Sequence, residues 1–123
     1  MQERKIDLQK RPDEVISLLG RRVHAFRETL ATYLIPPDAV ERYTVEFMRK
    51  REEFFNRYMA SRLESMGHYA DTLELVAEVA FLESSPPREL NLEDLTPAAK
   101  EYLRDTLRIQ IELLQKASKE YLP

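Results

Sequence analysis

The sequence predicts an all-α fold, an up-down-up-down four-helix bundle with long second and fourth helices. Apolar residues recur at steps of three and four along most of the chain, the period of one helical face. Prolines punctuate it where helices start or stop, at Pro12, Pro36, Pro37 and Pro97, because proline suits the first helical position and disfavours helix in the residue before it. Glycine is nearly absent, with only Gly20 and Gly67 in 123 residues, which excludes tight hairpins and phosphate-cradling loops. With 43% hydrophobic and 33% charged residues, the chain has material for one core and suits one domain, over residues 12–123 after a polar tail at 1–11.

The first helix is expected to open at Pro12, with Asp13 and Glu14 at the positive end of its dipole. Its apolar face runs Val15, Leu19, Val23, Phe26, Leu30 and Tyr33 until Pro36-Pro37 stops it. Pro37 and Asp38 then open a second helix that reaches Met66, where Gly67 offers a cap. At ~1.5 Å per residue this helix is ~44 Å long and sets the length of the molecule.

The third helix, His68 to Ser84, is apolar nearly all round, with Asp71, Glu74 and Glu78 as its wet edge. A proline-bearing connection follows, with Leu90, Leu92 and Leu95 placed to pin it to the end of the bundle. Thr96-Pro97 reads as N-cap and first residue of a last helix to Leu122. Its core stripe is expected at Ala99, Leu103, Leu107, Gln110, Leu114, Ala117 and Tyr121. Short connections make neighbouring helices antiparallel, hence the alternating order.

The apolar arcs of the second and fourth helices are wide. On the second, Val40, Tyr43, Phe47, Phe54 and Tyr58 are flanked by Met48, Phe55, Met59 and Met66, together covering roughly 200° at 100° per residue. On the fourth, Tyr102, Ile109 and Leu113 flank the stripe. Surface in excess of what one small bundle hides marks an interface. Met48, Phe55, Met59, Met66, Tyr102, Ile109 and Leu113 are therefore expected at a contact with a second copy, or with a helix of another protein lodged in a groove, the remaining alternative being an irregular bundle that buries them internally. Arg51 and Arg62 project from the same arc, and third-helix acids are their expected partners, because an isolated buried charge is too costly.

The net charge of −3 divides unevenly, with +3 over residues 1–62, −7 over 63–99 and +1 over 100–123. A basic excess this small disfavours general nucleic-acid binding, leaving Arg42, Arg49, Lys50 and Arg57 as a weak anion or nucleic-acid candidate on the wet side of the second helix. The absence of cysteine excludes disulfides and thiolate chemistry. No apolar run reaches the ~20 residues of a membrane span, and the charged start is not a secretory signal, so the expected location is cytoplasmic.

Glu64, His68 and Asp71 have a spacing that could hold a divalent metal if the helix ran through Gly67. No cofactor is expected. The stretch RLESMGH, Arg62 to His68, resembles the R-x(4–6)-H signature of the HEPN family, small helical bundles many of which are metal-independent ribonucleases active as dimers. The resemblance implies that Arg62 positions the scissile phosphate and His68 handles proton transfer. The leading expectation is instead a non-enzymatic interaction protein, an adaptor, subunit or small regulator, acting through the apolar faces of the second and fourth helices. The HEPN-like ribonuclease or toxin and the nucleic-acid module are the alternatives.

Overall fold

The computed structural model describes residues 13–67, 72–83 and 92–122, with side chains described from residue 20 onward in the first helix, from Glu74 in the third and from Glu93 in the last stretch. Four helices make up the fold: α1 (Asp13–Thr32), α2 (Pro37–Met66), α3 (Thr72–Glu83) and α4 (Pro97–Tyr121), with a 3-10 turn at Leu92–Asp94 before the last. This is an all-α four-helix bundle in which α2 and α4 are long and pack together.

Local chemistry sets the ends much as the sequence suggests. Pro37 occupies the first turn of α2 with Asp38 beside it, and Thr96 caps α4 by accepting the Ala99 N–H at 3.2 Å. Gly67 ends α2 at φ +58°, a left-handed conformation that glycine adopts without a Cβ penalty. The first helix starts at Asp13, and residues 68–71 and 84 of the expected third helix lie outside the described residues.

The order of directions departs from strict alternation. Arg27 of α1 reaches Glu41 of α2 at 2.8 Å and Phe26 stacks on Phe47, so α1 is antiparallel to α2. Arg62 faces Glu74 and Glu78 while Arg51 faces Glu83, so α3 is antiparallel to α2 as well. Arg57 lies by Glu101 and Asp105 while Arg42 lies by Glu120, which gives α4 the same sense as α3. The physical reason is chain length. Thirteen residues separate Glu83 from Pro97, and at ~3.3 Å each they can retrace the ~18 Å of α3. Only shorter links force antiparallel neighbours.

The core falls into two apolar clusters. One gathers Phe55, Tyr58, Met59, Leu75, Val79, Leu82, Ala99 and Tyr102. The other gathers Phe26, Leu30, Ile35, Tyr43, Phe47, Leu113 and Ala117. Leu95, expected as a pin, is buried in the first.

Several positions differ from their expected faces. Phe55 and Met59 are 0% exposed within one chain, and Tyr102 and Leu113 are also buried, so they do not form an external contact surface. Met66 and Ile109 pack partly against the two clusters, and only Met48 of the seven stands well out in solvent. The reason is that α2 packs between α1 and α4 and meets α3 across the bundle through long side chains, so its wide arc is absorbed inside. On α4 the buried seam is Ala99, Tyr102, Thr106, Leu113 and Ala117. Leu107, expected in the stripe, is exposed, because the seam is rotated to set the Tyr102 hydroxyl against α3. Glu78, expected on a wet edge, is buried against Tyr58 and Arg62. Tyr33 is exposed because α1 ends at Thr32.

Candidate functional site

A polar layer separates the two clusters. Arg51 lies one turn from Phe47 and one from Phe55 on α2, and it is buried with Arg22, Glu83 and Thr106. Arg51 Nη2 donates to Glu83 Oε2 and, at 3.0 Å, to Tyr102 Oη. Tyr102 Oη in turn donates to Glu83 Oε1 at 2.5 Å. Arg22 Nη2 donates to the Leu82 carbonyl at 2.6 Å, and its Nε stands 3.9 Å from Glu83. Arg22 therefore satisfies an end carbonyl of α3 and places positive charge at the negative end of that helix dipole. Burial lowers the Arg22 pKa, and Glu83 opposes that effect. Arginine nevertheless remains charged.

A second group repeats the pattern about three helical turns further along α2. Arg62 Nε donates to Glu78 Oε1 at 3.2 Å, Tyr58 Oη donates to the same oxygen at 2.5 Å, and Glu74 stands 3.6 Å from Arg62 Nη2. The rings of Tyr58 and Tyr102 pack 5.5 Å apart, which joins the two groups. Both phenols have raised pKa values, chiefly through burial, with the facing carboxylates adding to the rise. Every carboxylate and guanidinium of the centre faces an opposite charge, so the arrangement is a set of structural ion pairs between α2 and α3.

The arginines of the α2 arc thus meet third-helix acids, the pairing the sequence suggests. Arg62 is buried and committed to Glu78 and Glu74. His68 and Asp71 lie outside the described residues, so the spatial relations of Arg62 with His68, and of Glu64 with His68 and Asp71, are not described. Among the described residues no group of three His, Asp or Glu side chains could hold a metal ion, and no helix is long and apolar enough to cross a membrane. Of the four basic candidates, Arg42 contacts Tyr121 and Glu120, and Arg57 lies by Glu101 and Asp105. Arg49 and Lys50 are exposed. Arg57 borders a cleft of about 150 Å³ between α2 and α4, floored by Phe54, Tyr58 and Tyr102.

The corner between α1 and α2 has a different character. The Ile35 N–H bonds back to the Leu30 carbonyl and the Leu34 N–H to that of Ala31, the paired bonds of a Schellman motif. Ile35 and Leu30 both enter the core, as the hydrophobic contact of that motif requires. Leu34 therefore takes the left-handed position, at φ +60°, where glycine is the usual residue. Its side chain is 87% exposed, and that of Tyr33 is 61% exposed. A leucine there costs about 1–2 kcal/mol of backbone strain and returns no burial within the chain. Leu34 itself forms one edge of a groove of about 560 Å³ lined also by Ala31, Ile35, Pro36, Pro37 and Val40, with Arg27, Glu28 and Glu41 on its wall.

Sequence reasoning missed Arg22, Glu83 and this corner. The signal for the corner was present: no glycine stands between Thr32 and Pro36, so a residue with a Cβ had to take the left-handed position. Comparisons with protein-family models, with curated proteins and with solved structures found no match to this chain.

Proposed function

We propose that the chain is a non-enzymatic helical-bundle interaction protein, an adaptor, subunit or small regulator that binds protein surfaces through apolar side chains it leaves in solvent. One contrast carries the reading. The fold buries Arg22, Arg51, Arg62, Glu78 and Glu83 while it leaves Tyr33, Leu34, Val45, Met48, Leu107 and Ile111 exposed. Interior charge is expensive and exposed apolar surface gains nothing in a lone molecule. Contact with another protein accounts for the outer half of that contrast. The contact residues differ from those expected of the inner arcs of α2 and α4, since the chain itself covers most of those.

The test is a photo-crosslinking amino acid placed at position 34, 48 or 111, and at the exposed polar positions 50 and 52, in cells that express the protein. Protein adducts concentrated at the three apolar positions are expected. Equal or absent crosslinking at apolar and polar positions overturns the reading.

A further inference from the structure

We propose that the α1–α2 corner is a self-association surface, on which two copies pair about a two-fold axis and the Tyr33–Leu34 knob of each enters the groove beside the knob of the other. The inference rests on the interaction reading above and names its partner as a second copy of this chain.

Three observations lead to it. Leu34 is held at positive φ by the Schellman bonds, so its exposed side chain is fixed in direction by backbone geometry and the core contact of Ile35 with Leu30. Both features make the residue a poor choice for the isolated fold, and strained residues that persist mark positions kept for another reason. Next, Leu34 stands at the edge of the groove, whose floor is apolar through Ala31, Ile35, Pro36 and Val40. A protruding apolar pair beside an apolar hollow on one patch is self-complementary, which an isologous two-fold contact requires. At about 560 Å³ the hollow, open to solvent, has room for the side chains of one knob.

The third observation is charge. The groove wall bears Arg27 paired to Glu41, and Glu28, which stands 3.8 Å from His24 with both of those side chains largely exposed. Both signs are present on one patch, so a two-fold axis can set Arg27 of one copy against Glu28 of the other. A partner of a single strong charge would be repelled by part of this wall. The contact is small, so the pairing belongs to the weak, reversible class.

Sedimentation equilibrium of the full chain between about 1 μM and 1 mM reads the association. A reversible dimer is expected, weakened at least about tenfold by Leu34→Gly and by Tyr33→Ser and unchanged by Lys116→Ser, at an exposed position of α4. Leu34→Gly gives the cleaner result, because its melting temperature should not fall, so lost association cannot be blamed on unfolding. A monomer at every concentration, or a dimer that neither corner variant weakens, overturns the inference. If the chain is monomeric yet position 34 crosslinks to other proteins in cells, self-pairing fails while the interaction reading stands. If neither association nor crosslinking occurs, both fail.

Discussion

Arg51 and Glu83, brought together from the middle of α2 and the last residue of α3, form an ion pair whose side chains are 3% and 0% exposed. Their union places a charged layer between two apolar clusters and fixes how far α3 extends along α2. A buried pair of this kind adds little net stability over a well-packed apolar alternative, but breaking it is costly.

The two partners are not equivalent. Glu83 faces Arg51, Arg22 and Tyr102 together, so Glu83→Gln leaves two buried guanidiniums without their anion and is expected to cost about 3–5 kcal/mol. Arg51→Met leaves Glu83 with Arg22 and Tyr102, so its loss should be smaller. Urea denaturation of both variants checks the order, and an equal or reversed ranking contradicts the role given to Glu83.

Leu34→Gly is expected to stabilise the chain. Removing a Cβ from a left-handed position recovers about 1–2 kcal/mol, from which the greater freedom of glycine in the unfolded chain takes about 0.4–1 kcal/mol. A net gain of roughly 0.5–1 kcal/mol should appear as a higher melting temperature. A drop would mean that the Leu34 side chain supports the fold after all.

Stability should decline in strong alkali. Tyr58 and Tyr102 have folded pKa values above the ordinary phenol value of 10.0, so the folded state keeps protons that the unfolded state releases. Their contribution is present in full below about pH 10 and is lost as pH rises above it, at up to about 2.7 kcal/mol per pH unit for two groups. Ultraviolet titration should show these two phenols ionising only together with the loss of helical circular dichroism. Tyrosinate formation at both positions in the folded protein would disprove the burial described.

Methionines on one helix should diverge. Met59→Ala empties fully buried space and is expected to cost about 2–5 kcal/mol, whereas Met48→Ala, at an exposed position, should stay within about 0.5 kcal/mol of the parent. Thermal or urea unfolding of the two variants checks the inner and outer faces assigned to α2.

The sequence by itself determined the helices. Period, proline placement, the Thr96 cap and Gly67 are local signals, and local backbone chemistry decides where a helix starts and stops. It also told that Arg51 and Arg62 needed acidic partners, because the cost of an isolated charge does not depend on topology. Tertiary structure alone decided which neighbours absorb the wide arc of α2, so Phe55, Met59, Tyr102 and Leu113 became core. It likewise set α3 and α4 running in the same sense and drew Glu78 and Glu83 inward. A helical wheel records the angular width of an apolar face but not how many helices lie against it. The chain between Glu83 and Pro97 is long enough to permit either direction, so only packing of the whole bundle could choose.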